Sequence, residues 1–593
     1  MLVAIVCGIY YPSLGGGFLL DDDLLITQNK LIHQPHGLWK IWFTTEPTDY
    51  WPLTNSVFWL EWRLWGNSPN GYRITNLVLH IADVLLLWAV LARLAIPGAF
   101  LAALLFAVHP VNVESVAWIA QLKNLLALLF GLLSIYGWLL AQDIDATDQK
   151  QRAQIAPSSN LARHRYVWNR WYSLSIAAFT AAMLSKGSVA VLPLLLLLIA
   201  WWQRRLTKLT VARTVPFFLV AIALTVVNIW FQSHDMQQVV REATLLQRLL
   251  GAGAIIWFYL SKALLPMNLS FVYPQWHISV SDWRWWLPLV AAIALTGFLY
   301  WKRNIAPCRA SLFAWLFFCV ALLPVMGFTD VSYMQWSLVA DHYQHLALIA
   351  VTTLAAAALT DWRQRTALAK WIPRAVTAAA VLSLSALTVR ESALYGDAAK
   401  LYASAIEQNA ESAKLYTNLG NALAADGKYA DAIEGYRQAL RIESDNVEAL
   451  DNLAAALANS GRSAEAQANY QSVLKSHPDD AAAHNNLARL LFEQGNLDEA
   501  IVHFQQAADA RPDLAEYRSN LGRTLLRAGK YHDAADALER ALQIDPNLPN
   551  DRDRLLIALV KSGQTEKAMK LFPQAFRLKS NPAKSPTEPQ PSK

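Results

Sequence analysis

Charge and cysteine are what this chain has little of. Of its 593 residues, 16% are Asp, Glu, Lys or Arg and 54% are hydrophobic, where ordinary soluble domains carry about 25% charge. That argues against a wholly soluble enzyme. Cysteine occurs only as Cys7, Cys308 and Cys319, each in or beside an apolar segment and none in a CxxC pair, so neither a disulfide framework nor a cysteine zinc site is readable. The basic excess is small, 51 Lys and Arg against 45 Asp and Glu for a net +6. Nucleic acid is therefore not expected as a partner, and the basic residues are read for membrane topology instead. What the chain has in quantity is apolar sequence, almost all of it before about residue 390, together with 24 tryptophans. A membrane half, 1–390, is followed by a soluble half.

Runs long enough to cross ~30 Å of hydrocarbon at 1.5 Å per residue occupy 74–95, 97–118, 120–141, 168–186, 187–203, 210–231, 283–301, 308–328, 345–360 and 371–389. Leu2 to Tyr11 lacks a basic flank and a small-residue cleavage site, and reads as a first transmembrane helix with a clipped start rather than a signal peptide. Basic residues cluster at Lys150, Arg152, Arg163, Arg165 and Arg170; at Arg204, Arg205, Lys208 and Arg213; at Lys302, Arg303 and Arg309; and at Arg363, Arg365, Lys370 and Arg374. All four clusters fall on the cytoplasmic side if 249–266 is re-entrant or interfacial. The expectation is about eleven crossings with the N-terminus inside. That places 18–73, 109–118, 232–282, 329–345 and everything after 390 on the extracytoplasmic face.

From Asp397 a fixed period appears. Asn418-Leu419-Gly420, Asn452-Leu453-Ala454, Asn486-Leu487-Ala488 and Asn520-Leu521-Gly522 step by 34, as do Gly427, Gly461, Gly495 and Gly529, and Ala432, Ala466, Ala500 and Ala534. Pro478, Pro512 and Pro546 close three units. Small residues where two helices meet, Gly at their turn and Pro before the next unit make the tetratricopeptide pattern. Four full repeats run over 413–548, with a degenerate cap at Leu555, Leu559, Gly563, Ala568 and Phe572. Asp397, Ala398, Tyr402 and Ala405 fit half a repeat ahead of them. The solenoid domain is thus 391–578, and the proline-rich tail 579–593 is expected to be disordered. Such an array binds extended peptide or another protein; it says nothing about chemistry.

Ionisable residues in or beside a membrane are expensive to keep, so each is a functional candidate. Asp21-Asp22-Asp23 follows an apolar run. It is either a solvated helix end or a general base, since like-charge neighbours raise a carboxyl's pKa toward one that accepts a hydroxyl proton. His109-Pro110-Val111-Asn112-Val113-Glu114 interrupts an apolar hairpin and leaves His109 and Glu114 at the membrane surface, with Lys123 further on; a tight turn would use the same residues. Asn76 and His80 share a helix face, a spacing that packing alone also explains. Lys186 is a snorkelling anchor or a phosphate contact. Asp341-His342-Tyr343-Gln344-His345 opens a helix where an anion would meet the N-terminal N–H groups, or lies in an exposed loop.

Assembled in order, these motifs resemble the transmembrane and tetratricopeptide-repeat-containing family, whose eukaryotic members are protein O-mannosyltransferases of the multi-pass GT-C class. The resemblance rests on Phe18, Asp21, Asp22, Ile26 and Asn29; on Tyr50, Pro52, Leu53 and Thr54, with Trp51 where arginine is usual; and on Gly71, Asn76 and His80, with Arg73 where histidine is frequent. It continues through His109-Pro110 with Glu114, Val116, Ala117 and Trp118, then Lys123, Ser185-Lys186, Pro193, Pro266, Asn268, Leu269, Tyr273 and Pro274. Asp341 and Tyr343 match an Asp-Arg-Tyr element in which His342 replaces the arginine.

The resemblance implies an all-α protein, a multi-pass GT-C-like membrane domain followed by a tetratricopeptide solenoid. It implies transfer of a monosaccharide, mannose in the relatives, from a polyprenyl-phosphate donor to Ser or Thr hydroxyls of extracytoplasmic proteins recruited by the solenoid. Asp21, Asp22 and Glu114 are then the catalytic candidates. Arg73, His80, His109, Lys123, Lys186, Tyr273, Asp341, His342 and Tyr343 are candidates for holding the donor phosphate or substrate. No metal is assigned; a divalent cation, if any, falls to Asp21 and Asp22. The location would be the inner membrane with a periplasmic solenoid in a bacterium, which the Ala- and Trp-rich composition favours, or the ER membrane with a lumenal one in a eukaryote. Two other classes compete. One is a catalytically inactive membrane anchor carrying a scaffold for envelope or polysaccharide assembly. The other is a transporter, whose paired midplane charges are not apparent.

Overall fold

Proline at position 110 cannot donate the backbone hydrogen bond a helix needs there, and the computed structural model breaks at that point. Helices Ala99–Ala107 and Pro110–Ala117 are bent by 56° against each other, with the His109 ring accepting the Val111 N–H at 3.4 Å across the break. The structure describes residues 1–47, 49–155, 169–235, 241–365, 371–548 and 550–574. Arg163, Arg165, Lys370 and the tail 579–593 lie outside them. The regular elements among the described residues are all helices, without strands. The chain divides into two compact units, Met1–Glu411 and Ser412–Lys593. The expected boundary was 390; helix Ala398–Gln408, assigned from sequence to the solenoid, lies in the first unit, where Tyr402 meets Phe271 edge-on.

Among the described residues of the first unit, five helices are long and apolar enough to cross a membrane: Pro69–Arg93, Ile119–Ile144, Lys208–Gln232, Ala306–Val325 and Trp371–Leu394, or six if the bent pair counts as one. This falls short of the eleven runs the sequence suggested. Leu2–Ser13 and Gly187–Trp202 are apolar but short, and Arg170–Ser185 and Trp286–Trp301 each have only 16 residues. The stretch expected to be re-entrant or interfacial is one continuous helix, Leu245–Leu264, without a re-entrant break and opened by a Thr244–Gln247 capping box. Leu219, Ile222, Val226, Ile293 and Leu382 are all more than half exposed, as apolar side chains are when hydrocarbon is the solvent.

The two ends of this unit differ. Arg93 and Arg205 both grip Asp143, at 2.7 and 2.9 Å, and Arg309 donates to the carbonyls of Trp201 and Trp202 at 3.2 and 2.9 Å. Arg73 and Arg93 sit near opposite ends of helix Pro69–Arg93, about 30 Å apart at the helical rise.

The second unit is the solenoid. Its helix pairs are Ala413–Ala425 with Tyr429–Ile442, Val447–Asn459 with Ser463–Ser476, Ala481–Gln494 with Leu497–Ala510, Ala515–Arg527 with Tyr531–Ile544, and the capping Asp551–Lys561 with Thr565–Leu571. Ser412, Asn446 and Asp480, again 34 apart, N-cap three first helices by accepting from Leu415, Ala449 and Ala483 N–H. The turn glycines take φ between +75 and +88°, which a side chain would resist. Ala432, Ala466, Ala500 and Ala534 are fully buried, and Tyr436, Tyr470, Phe504 and Leu538 fill the space between the two helices of each repeat. At Gly420 even a methyl group would strike the Tyr436 ring.

Asp451, half-buried in the second repeat, stands where the third has Asn485. Burial pushes its carboxyl up to about 7, and the Asp480 charge pushes the same way. The native repeat therefore holds a proton that the unfolded chain has released, so raising the pH from about 4 to about 7 removes stability and leaves it lost above that. Asp451→Asn keeps the site neutral. Hydrogen-exchange protection of the repeats, corrected for intrinsic rates, is expected to fall across that window in the parent and to stay level in the variant.

Candidate functional site

Leu20 takes φ 48°, a left-handed turn that swings the chain so that Asp22 points back into the protein. One Asp22 oxygen accepts the Leu19 N–H at 2.9 Å, and the other accepts the Ala120 N–H at 2.7 Å. The residue is fully buried. Burial pushes its carboxyl up to about 7, against those two N–H groups and the nearby Arg73 charge, which favour the ionised form. Asp22 is thus a clasp between the first loop and the turn Ile119–Gln121. Asp23 accepts from its own Thr27 hydroxyl at 2.8 Å. Asp21 is half-buried, and among the described residues no hydrogen bond holds its carboxylate. The three adjacent aspartates therefore have three different situations.

Arg73 is buried to 1% exposure. It donates to the carbonyls of Ala117 at 3.2 Å, Gly17 at 2.7 Å and Tyr395 at 3.3 Å, and only Nη1 is left without a partner. His109 points Nε2 at the Ala263 carbonyl, 3.0 Å away. His80 faces the Ala107 carbonyl at 3.4 Å and meets Tyr10 edge-on, while Asn76 donates to the Trp118 carbonyl at 3.2 Å. These motif residues join helices to one another. They do not line open space.

A cleft is lined by Asn124, Lys186, Ser188, His342, Tyr343 and His345 among others. The Lys186 ammonium donates to Asn124 Oδ1 and lies 5.9 Å from the Tyr343 ring centroid. Lys123 sits 4.6 Å over the Trp51 ring, so the tryptophan in the arginine position offers its π face to a cation. Glu114 binds His342 twice, one oxygen accepting its backbone N–H and the other meeting Nδ1, both at 2.8 Å. The His342 pKa is held well below the usual range by burial, with Lys186 and Lys123 pushing the same way and Asp21 opposing them. The ring is neutral; with Glu114 ionised, its proton is assigned to Nδ1 facing the carboxylate, which makes Nε2 an acceptor. That suits a substrate hydroxyl rather than a phosphate oxygen. Beside it, Tyr273 donates to Asp341 at 3.0 Å, and burial with Glu114 repulsion keeps the Asp341 carboxyl well above its ordinary value.

The fold thus gathers Asp21, Glu114, Lys123, Lys186, His342 and Tyr343, with Asp341 and Tyr273 behind them, from segments remote in sequence. Sequence reasoning missed Asn124, which links Lys186 to Gln121 through a 2.8 Å bond from its amide, and Asn112, which holds His345 at 2.8 Å. A Lys-Asn pair inside an apolar run was the available signal for the first. Among the described residues no group of three His, Cys, Asp or Glu side chains is arranged to hold a metal ion.

These placements separate two neighbouring carboxylates. Asp22→Ala strands two buried N–H groups and is expected to lower stability by about 1–3 kcal/mol for each, seen as an earlier thermal transition of the detergent-solubilised chain. Asp21→Asn is expected to leave that transition unchanged.

Tetratricopeptide family models match residues 445–513 and 479–547, and a second one matches 420–461. Over the repeat region the chain is similar to proteins named protein O-mannosyl-transferases. It is 30% identical over 141 residues to F38B6.6 of Caenorhabditis elegans, covering 21% of this chain and 20% of that one. It is 33% identical over 162 residues to human TMTC4, covering 23% and 22%. The chain thus matches about a fifth of these relatives' length. Among solved structures, the MamA protein is 22% identical over 30% of this chain and all of its own, with a TM-score of 0.26. YrrB, described as a tetratricopeptide protein with an unusual peptide-binding site, is 20% identical over 31% of this chain and all of its own, also at 0.26. The chain thus carries tetratricopeptide repeats in its C-terminal solenoid, and over that region it is similar to proteins named protein O-mannosyl-transferases.

Proposed function

We propose that the chain is a membrane glycosyltransferase that moves a monosaccharide, mannose by analogy with its named relatives, from a polyprenyl-phosphate donor to Ser or Thr hydroxyls of extracytoplasmic proteins, the solenoid recruiting the acceptor. The observation that carries this reading is Asp21, the carboxylate of its triplet with no hydrogen bond, in the electrostatic neighbourhood of Lys123 and His342. In this mechanism Asp21 takes the acceptor hydroxyl proton as the oxygen attacks the anomeric carbon. The bond from that carbon to the phosphate oxygen breaks with inversion, and its electron pair leaves on the lipid phosphate. Lys186 and Lys123 offset that charge in a site with little water. His342 Nε2, fixed by Glu114, accepts from a sugar hydroxyl and orients the ring. Asp22 and Arg73 are positioning residues.

The arrangement of the ends supports an extracytoplasmic site. Arg93, Arg205 and Arg309 gather at one end of the unit, as cytoplasmic positive charge does, and Asp21 and Glu114 lie toward the other. A catalytically inactive scaffold stays in view because the relatives match through the repeats.

Intact-peptide mass spectrometry of extracytoplasmic proteins tests the proposal. In cells carrying Asp21→Asn at parental expression, hexose-sized additions on Ser and Thr are expected to fall by about 10²–10⁴-fold, the usual span for losing a general base. Lys186→Met is expected to lower transfer without releasing bound acceptor. An unchanged glycan profile in Asp21→Asn, with the solenoid still retaining its partners, overturns the transferase reading in favour of the scaffold.

A further inference from the structure

The first helices of the repeats pack on one another, Ala413–Ala425 on Val447–Asn459, Val447–Asn459 on Ala481–Gln494, and Ala515–Arg527 on Asp551–Lys561, and Asn520 on Ala515–Arg527 donates to Asn485 on Ala481–Gln494 at 3.0 Å, so that together they form one wall. A single position recurs along this wall at the 34-residue step as Asn421, Ala455, Arg489 and Arg523. Over the first two repeats the wall is amide and acid. Asn452 donates to Asn421 at 2.9 Å, Lys414 is taken up by Glu448 at 2.8 Å, and Asp451 faces the charge of Asp480.

Over the third and fourth repeats the character reverses. Arg489 and Arg523 are half-buried and Arg527 is exposed. The guanidinium carbons of Arg523 and Arg527 lie 5.0 and 4.6 Å from the centroid of the same ring, Phe492. Among the described residues no hydrogen bond or ion pair holds any of these three guanidiniums, and the buried Nε of Arg523 has no partner. Arg523 also feels the charges of Arg489 and Arg554. The acids nearest to it are Asp551, already held by Arg554 at 2.6 Å, and Glu493, which is exposed. Like charges gathered without counter-ions raise the energy of the empty wall. Guanidiniums steadied on an aromatic face are pre-organised to meet planar carboxylates in pairs.

We propose that the wall centred on Arg489, Arg523 and Arg527 around Phe492 is a binding site for acidic extended polypeptide, its carboxylates meeting the arginines and its remaining length lying over the amide and acid repeats. The charge reversal fixes a polarity, because an acidic stretch is repelled by Glu448 and Asp480 and drawn to Arg489, Arg523 and Arg527. This deepens the proposed function in one respect. It rests on the solenoid's recruiting a polypeptide, and it names which kind, but it does not rest on the transfer chemistry.

The test uses the full chain in lipid nanodiscs and the anisotropy of a fluorescein-labelled Ser/Thr peptide bearing glutamates, with a lysine-bearing version for comparison. The glutamate peptide is expected to bind about tenfold or more tightly than the lysine one, with a steep salt dependence. An Arg489→Gln/Arg523→Gln variant is expected to lose about tenfold or more of that affinity. The reversed Arg489→Glu/Arg523→Glu variant is expected to prefer the lysine peptide, a gain that a misfolded solenoid would not produce. Equal binding of both peptides, or a glutamine variant that binds like the parent, overturns the site. Displacement of the glutamate peptide by a single-stranded RNA oligomer at equal concentration overturns the peptide assignment. Hexose transfer to a neutral Ser/Thr peptide in the same preparations keeps the two readings apart. Transfer without acid preference sinks this site alone, whereas acid binding without transfer upholds it and sinks the transferase.

Discussion

A guanidinium buried in an apolar bundle is tolerable only when its N–H groups find acceptors, and Arg73 sets the geometry of its unit by finding three. The carbonyls of Gly17, Ala117 and Tyr395 converge on it, tying the loop after the first helix, the bent hairpin and the end of the last long helix to one side chain. Gly16 must lack a side chain, because a methyl group there would strike Arg73 and the Tyr395 carbonyl. With the loop so anchored, Asp22 reaches the N–H of Ala120, and the turn it clasps opens the helix that carries Lys123 and Asn124. Asp21, one residue earlier, is left turned away from both tasks. The reactive-looking carboxylate is thus the by-product of a structural one.

The surroundings of the cleft follow the same logic. His342 is held at two points, its backbone N–H and its ring Nδ1, by the two oxygens of Glu114, whereas Lys186 is held at one, by the side-chain amide of Asn124. The fixed acceptor and the cations are supplied by different parts of the chain. The Pro110 break allows this, since it turns Glu114 inward where a straight helix would carry it on along the bundle.

The sequence made the solenoid legible because several positions share one step: glycine where φ is positive, alanine where helices touch, and Ser, Asn or Asp as N-caps. The long helices were legible from their apolar runs, though a run of hydrophobic residues does not reveal whether the helix is long enough to cross by itself, as Arg170–Ser185 and Trp286–Trp301 show. The stretch 249–266 reads as re-entrant or interfacial from the placement of the basic clusters, a pattern that does not show that the Thr244–Gln247 capping box opens one continuous helix there. In the candidate site, residue type was visible and situation was not. Asp21, Asp22 and Asp23 are identical in sequence, and only tertiary contacts make one a clasp, one a local cap and one a free carboxylate. Arg73, His80 and His109 look like ligands in a motif, and in the structure each meets backbone carbonyls of other segments; a polar group in an apolar interior is equally conspicuous in either role. The joining of Glu114 to His342, 228 residues apart, leaves no local trace at all.

The Arg73 knot also imposes an order on biosynthesis. Its acceptors at Gly17 and Ala117 are made early, but the third, Tyr395, is 322 residues downstream. Until that last long helix has been threaded into the bilayer, the early loop has an unfilled place and the cleft beside it is unfinished. A ribosome therefore completes the membrane unit only as it begins the repeats.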